Sequence, residues 1–332
     1  MNISGRIGMH MAWRGLLNTI QNKPYSTSFE VTHACTANCW HCNWGGPIKE
    51  KRLSPAEYGE ICRRLRPIVA NVSGGEPLAR GDLHEIIAAI AKPGWLPWIV
   101  VVTNASQLTA ERYGRLKQAG MHQLSVSLDY PDERHDEFRR IPGLFDRMSR
   151  VLPELARSTG RNEVSLNVCI TAWNYRDLPD IVRVGKEWGL PVNFSVYTHL
   201  RVQDRDGLVN GDSLADLRRV IEELVDMRRS GYPVYTTPRI LWKFYHFLVE
   251  DGIPGCEAGR RFLVVNPDGR LTPCAMVMAY FDSQEDMLEG FTKQNTCTKC
   301  YISTRANTEK GYFRSAFDNP AALRRLLAPW RA

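Results

Sequence analysis

The chain has 332 residues, 43% hydrophobic and 24% charged, an ordinary balance for a folded protein with room for one large core and a small one. No apolar run reaches the ~18 residues of a membrane span, and the formal charge of +7 is carried without a block of basic residues, which argues against nucleic acid as a partner. The N-terminus lacks the continuous apolar core of a signal peptide, which points to the cytoplasm.

In chain order, residues 1–25 read as a helical extension. Ile7, Met11, Trp13, Leu16, Leu17 and Ile20 recur at helical spacing beside Arg6 and Arg14. Such a stripe fits the bottom of a barrel or, less commonly, a membrane surface serving a lipid-like substrate. STSFEVTHAC is a strand, and Ser54-Pro55-Ala56-Glu57 is a capping box that opens a helix. PIVANVSGG is the second strand, followed by DLHEIIAAIA, whose Leu83, Ile86, Ile87 and Ile90 share one helical face. WIVVVTNAS is a continuous apolar run, as a strand buried on both faces should be. TAERYGRLKQAG is a helix, and MHQLSVSLDY, EVSLNVCIT and LPVNFSVYT are further strands separated by helical stretches.

Six β-then-α units in series imply a parallel sheet with right-handed crossovers, either doubly wound or a partial barrel. In both, function gathers at the C-terminal ends of the strands. Residues 26–205 make up this α/β part. Residues 206–255 form a helical connection whose aromatic stretch ILWKFYHFL is expected to pack between domains. Residues 256–332 form a small cysteine-rich α+β domain, with a hairpin turning at Pro267-Asp268-Gly269.

Of nine cysteines, seven fall into two groups: Cys35, Cys39 and Cys42, then Cys256, Cys274, Cys297 and Cys300. Intracellular cysteine clusters usually serve metal or catalysis. Cys62 and Cys169 read as small core hydrophobes. The first group ends the first strand, where a tight loop can aim three thiolates at one point. Three ligands leave a metal incomplete, so the group reads either as zinc completed by His33 or His41 or as an iron–sulfur cluster with one iron open. The second strand ends in Ser73-Gly74-Gly75-Glu76-Pro77, where paired glycines let backbone approach a ligand closely.

A CxxxCxxC loop after the first strand with a GGEP loop after the second resembles the radical S-adenosylmethionine (radical SAM) enzymes. The resemblance covers roughly residues 26–200 and implies a partial (β/α)6 barrel. It implies a 4Fe–4S cluster on Cys35, Cys39 and Cys42, whose open iron is chelated by the methionine part of S-adenosylmethionine. It further implies reductive cleavage of that cofactor to a 5′-deoxyadenosyl radical, which takes a hydrogen atom from the substrate. Gly74, Gly75, Glu76 and Pro77 are then candidates for the methionine amine. Asn104 matches a TNG-like strand end, and Ser127 and Asp129 match an S-x-D-G-like one, with Ser127 a candidate for the ribose or carboxylate. Arg139, in HDEFRR, matches an arginine facing the cofactor carboxylate. His41 stands where the family usually has an aromatic residue near the adenine. Asn167 is placed toward the site by strand alternation alone.

The second cysteine group resembles the twitch domain, a shortened relative of the SPASM domain, and implies an auxiliary 4Fe–4S cluster fully ligated by protein. A structural zinc site stays open beside it. The resemblance implies a small-molecule substrate, oxidised by two electrons with the help of the auxiliary cluster. A peptide substrate is the main rival, disfavoured by the short stretch before the first strand. A flavodoxin or ferredoxin is the implied electron donor. A zinc-stabilised binding protein and an iron–sulfur electron carrier are the non-enzymatic alternatives.

Overall fold

The structure is a computed structural model that describes residues 5–92, 96–160 and 162–309. Helix α1 (Gly5–Ile20) leads into β1 (Ser26–Thr32). There follow α2 (Pro55–Leu65), β2 (Val69–Gly74), α3 (Leu83–Ala91), β3 (Trp98–Thr103), α4 (Ala110–Gln118) and β4 (Gln123–Ser127). Next come α5 (Arg134–Arg139), α6 (Leu144–Ser158), β5 (Val164–Ile170), α7 (Leu178–Trp188) and β6 (Val192–Val196). The capping box that opens α2 is formed, with Ser54 and Glu57 each bonding the other's backbone.

The strands lie in the order β6-β5-β4-β3-β2-β1, parallel throughout. This settles what periodicity left open. A doubly wound sheet reverses its strand order at a switch point. Here it never reverses, so right-handed crossovers place every helix on one face, as in a barrel whose sheet is not closed. Burial follows. Alternate residues such as Val72, Val101, Val126, Val168 and Phe194 are fully buried against the helices. Their neighbours Asn71, Ser73, Ser125, Ser127, Asn167, Asn193 and Ser195 are only half-buried and face the lumen. The third strand corrects the expectation of burial on both faces: Trp98, Val100 and Val102 are half-buried on the lumen side.

Met11 of α1 packs on Tyr25 and Ile68, with Val69 and Trp98 alongside. These residues start the first three strands, so α1 closes the bottom of the barrel. Helices α8 (Ser213–Arg229) and α9 (Pro238–Val249) pack on each other. Leu241, Phe244 and Phe247 of the aromatic stretch are buried, and Phe244 meets Tyr301 edge-on. That helix is packing, as expected.

The C-terminal hairpin forms from β7 (Phe262–Val265) and β8 (Leu271–Thr272), with Gly269 at φ +92° in its turn. It does not stand apart, because β7 pairs in parallel with β1 and extends the sheet to eight strands. Short helices α10 (Gln284–Gly290) and α11 (Ser303–Thr308) follow. The hydroxyl of Thr198 donates to the Lys299 carbonyl at 2.7 Å, and the Ser303 N–H donates to the Ser195 hydroxyl at 3.0 Å. Residues 256–309 therefore grip both edges of the open barrel. The part of the expected 256–332 domain beyond residue 309, and residues 1–4 of the extension, lie outside the described residues. Among the described residues, no helix is long and apolar enough to cross a membrane.

Candidate active site

The first cysteine loop sits on the second strand's end through backbone contact. The Gly75 N–H donates to the Thr32 carbonyl at 2.7 Å and the Glu76 N–H to the Ala34 carbonyl at 2.9 Å. A Cβ on Gly74 would lie 2.2 Å from the Thr32 oxygen, and one on Gly75 2.2 Å from the Ala34 oxygen. Gly74 also holds φ +127°, which side chains other than hydrogen rarely adopt. The glycine pair is therefore what allows the SGGEP loop to lie directly against the cysteine loop.

Each sulfur of the loop has an N–H beside it. Ala37 N–H donates to the Cys35 sulfur at 3.4 Å, Trp44 N–H to that of Cys42 at 3.5 Å, and Arg139 Nη1 to that of Cys39 at 3.6 Å. The Asn104 amide adds a longer contact of 3.8 Å to Cys35. Burial pushes the Cys35 thiol up to about 11 and that of Cys39 in the same direction, with neighbouring thiols adding to it. As free groups Cys35 and Cys39 would be protonated. Donors aimed at sulfur instead suit ligated thiolate. Among the described residues, no three Cys, His, Asp or Glu side chains are already drawn to ligand spacing.

The zinc reading needs a fourth ligand, and His33 is already engaged with a carboxylate. His33 Nε2 lies 2.9 Å from the Glu30 carboxylate, with its ring stacked on Trp44 at 3.9 Å. His41 stacks on Phe138 at 5.0 Å. Three donor-supported thiols fit a 4Fe–4S cluster with one open iron.

Glu76 is fully buried and its carboxylate turns into the protein. It accepts from Leu78 N–H at 2.9 Å, Thr103 hydroxyl at 2.7 Å and Asn104 N–H at 2.7 Å, tying the second strand's end to the third. Burial raises its carboxyl against these donors. It braces the loop. Pro77 is buried at the start of a short 3-10 turn. Asn104 is likewise committed: Nδ2 donates to Thr36 Oγ1 at 3.0 Å and Oδ1 accepts from Ser106 N–H at 2.9 Å. Its side chain positions the cysteine loop.

Arg139 and Asp129, two of the candidate residues, meet each other. They form a buried ion pair, with Nε of Arg139 at 2.8 Å from Asp129 Oδ2 and Nη2 on the same oxygen. Asp129 Oδ1 accepts from Cys169 N–H at 3.2 Å. Burial alone would raise the Asp129 carboxyl, but the guanidinium holds it below the ordinary carboxylate range. The arginine is thus paired inside the protein, and its Nη1 reaches the Cys39 sulfur. Ser127 and Asn167 pair in register on adjacent strands, half-buried toward the lumen. These two stand open to a ligand. Burial pulls the His41 imidazole down to about 4, so it is neutral, and its buried Nδ1 has no protein partner. An adenine edge would suit that atom.

Several residues of the site escaped sequence reasoning. Thr36 and Ser106 share a 2.7 Å hydroxyl contact between the cysteine loop and the third strand's end. His135 accepts from Asp129 N–H at 3.1 Å. Cys169 is not a helix-side core residue like Cys62: it alternates to the lumen and feels Asp129, Arg139, Cys42 and Cys39. The Phe138 ring meets those of His41, Tyr130 and Trp173 at 5.0–6.2 Å, and Trp173 meets Tyr197 at 6.3 Å. Only the alternation of VSLNVCIT carried a signal for Cys169.

In the second group, Cys274 and Cys300 are buried and Cys256 and Cys297 half-buried. Burial raises the Cys274 thiol to about 12, with Cys300 and Cys256 adding to it, and that of Cys300 to about 11, with Cys256 and Cys297 adding to it. Cys256 and Cys300 are therefore neighbours of Cys274, and Cys256 and Cys297 of Cys300.

Residues 29–184 match the model of the radical SAM superfamily. The AdoMet-dependent heme synthase of Methanosarcina barkeri is 27% identical over 276 residues, 76% of this chain and 77% of that protein. The PqqA peptide cyclase of Gluconobacter oxydans is 26% identical over 272 residues, 77% of this chain and 71% of that one. In fold, SuiB of Streptococcus suis, solved with S-adenosylmethionine bound, superposes with a TM-score of 0.64 at 17% identity, over 81% of this chain and 65% of that one. Residues 29–184 are thus those of a radical SAM domain, and the relatives similar over three-quarters of the chain agree with it.

Proposed function

We propose that this enzyme binds a 4Fe–4S cluster on Cys35, Cys39 and Cys42 and oxidises a small, polar, hydrogen-bonding substrate held in the barrel lumen. When bound and reduced, the cluster with S-adenosylmethionine supplies a 5′-deoxyadenosyl radical that abstracts a hydrogen atom. The observation that carries the reading is the loop of three thiols, each met by an N–H, seated on a glycine pair at the mouth of the barrel. Ser127 and Asn167 orient the cofactor by hydrogen bonds, while His41 and the aromatic ring series exclude water from it. Backbone carbonyls of Gly74 and Gly75 take the methionine amine, since the Glu76 carboxylate is already committed.

Neutral Ser and Asn side chains line the lumen, which supports a substrate rich in hydroxyl or amide groups. Cys256, Cys274, Cys297 and Cys300 would hold an auxiliary 4Fe–4S cluster able to accept the electron left on the substrate after hydrogen abstraction, the proton going to solvent, while a flavodoxin or ferredoxin would supply the separate electron that cleaves S-adenosylmethionine. A peptide substrate is the second reading, favoured by the likeness to a peptide cyclase.

The test is iron and sulfide content after anaerobic purification, with cleavage of S-adenosylmethionine under dithionite, for the parent and for the Cys35→Ala/Cys39→Ala/Cys42→Ala variant. About eight irons falling to about four with loss of cleavage supports the reading. Zinc in place of iron, or cleavage that survives the triple substitution, overturns it.

A further inference from the structure

The face of α1 turned away from the barrel is apolar and open. Met9 is 50% exposed, Trp13 62%, Leu16 41% and Ile20 71%. Their spacing of four, three and four residues sets them in one stripe. Met11 and Asn18 on the opposite side are buried, and the Asn18 amide donates to the carbonyls of Pro24 and Arg66. Barrel packing is therefore complete without the outer stripe. A lone exposed apolar residue needs no explanation, but four in one stripe with a tryptophan among them call for an occupant.

The charge around the stripe selects that occupant. The first 29 residues contain Arg6, Arg14 and Lys23 and no Asp or Glu. Arg63, Arg64 and Arg66 lie exposed at the end of α2, and the Arg66 backbone is bound to α1 through Asn18. The acids Glu60 and Glu285 offset Arg63 and Lys23, which leaves Arg14, Arg64 and Arg66 as the excess positive charge of this rim. A second copy of the chain meeting this face about a two-fold axis would set two cationic rims against each other. An anionic lipid surface offers both an apolar layer and negative charge.

We infer that the outer face of α1 docks this enzyme on an anionic membrane surface, with Met9, Trp13, Leu16 and Ile20 in the interfacial layer and the surrounding cations on lipid headgroups. The catalytic mouth, at the opposite ends of the strands, then faces away from the bilayer. The attachment is peripheral and does not require a lipid substrate.

The full-length protein is floated with phosphatidylcholine vesicles with and without phosphatidylglycerol, over a range of salt. Binding is expected to the anionic vesicles only and to weaken as salt rises, about fivefold for each cation engaged at the surface. Trp13→Glu and Ile20→Glu are each expected to lower partitioning about tenfold or more. Both side chains are exposed, so both variants are expected to melt with the parent. Failure to bind anionic vesicles at low salt overturns the inference. So does binding that these substitutions leave unchanged. A concentration-dependent dimer that Trp13→Glu abolishes, with no vesicle binding, overturns it in favour of a second copy. Leu16→Ser and the salt series repeat the test if an acidic substitution lowers the yield of folded protein.

Discussion

Gly75→Ala tests whether the glycine pair exists to seat the cysteine loop. The added Cβ meets the Ala34 oxygen at 2.2 Å and the Ala34 carbon at 2.6 Å. Both are backbone atoms, so no side chain can swing away. Ordinary contact begins near 3.4 Å, which requires the loop bearing Cys35 to retreat by about 1 Å. Gly75 does not hold a left-handed φ, so the effect is steric alone. The retreat strains two hydrogen bonds, Gly75 N–H to Thr32 and Glu76 N–H to Ala34. At ~1 kcal/mol for each bond and ~1–3 kcal/mol for overpacking, the cost is about 3–5 kcal/mol. A shift of ~1 Å also exceeds what a preorganised site tolerates, and S-adenosylmethionine cleavage should fall about a hundredfold. The assays are thermal melting, iron content and cleavage under dithionite. Gly81→Ala is the control, because a Cβ there meets nothing within 4 Å. If Gly75→Ala keeps the parent's melting temperature, iron and cleavage rate, the loops do not rest on each other as described.

Four further outcomes follow from the same geometry. Asp129→Asn leaves the Arg139 guanidinium buried without its counter-charge and should cost about 3–5 kcal/mol in chemical denaturation, part of it recovered in the Asp129→Asn/Arg139→Gln double variant. His135 is held at about 3 by burial, against ~6.5 when unfolded. The unfolded chain therefore binds the extra proton as pH falls below ~6.5, and stability should drop at up to ~1.4 kcal/mol per pH unit from this group, a slope that His135→Asn removes. Ser127→Ala and Asn167→Ala should each raise the KM for S-adenosylmethionine about tenfold while leaving the iron content unchanged, since neither touches a cysteine of the loop. Cys297→Ala/Cys300→Ala should lower iron from about eight to about four per chain while leaving uncoupled S-adenosylmethionine cleavage in place, read by iron assay and product analysis.

What could be read from the sequence was whatever depends on local pattern. The capping box at Ser54, the alternation of strand and helix and the cysteine spacing each specify a backbone conformation or a ligand count within a few residues. The partial barrel was legible only as one of two options, because hydrophobic period says which face is buried and not in which order strands lie. The protein partners of Glu76, Asn104 and Arg139 are not legible for a related reason. Each matches a motif position, yet its side-chain direction depends on partners 27 to 100 residues away: Thr103 for Glu76, Thr36 for Asn104, and Cys39 for Arg139. Cys169 was read as core because a thiol in an apolar strand looks the same on either face. Its lumen position follows from register with β4 and β6, which one strand's composition does not contain.

The second cysteine group gains a mechanical role from its place in the sheet. The hairpin adds β7 to one edge of the barrel through β1, while Lys299 and Ser303 fasten to Thr198 and Ser195 on the other edge. Cys274 follows the hairpin, and Cys297 and Cys300 flank Lys299, so three of the four thiols lie on the chain that joins the two edges, with Cys256 just before β7. Arg305 reinforces the seam: it is buried and donates to the carbonyls of Cys300, Ile253 and Pro254 at 2.6–2.8 Å. A metal centre there would staple an open barrel shut in the sense that a structural metal contributes directly to folding. Loss of that centre should then loosen β6 and β7 together, seen as faster amide exchange in Val192–Val196 and Phe262–Val265 with β2 and β3 unaffected. If exchange in β6 stays at the parent's rate in Cys297→Ala/Cys300→Ala, the group serves electron transfer alone, and the hydrogen bonds of residues 299–305 suffice to close the barrel.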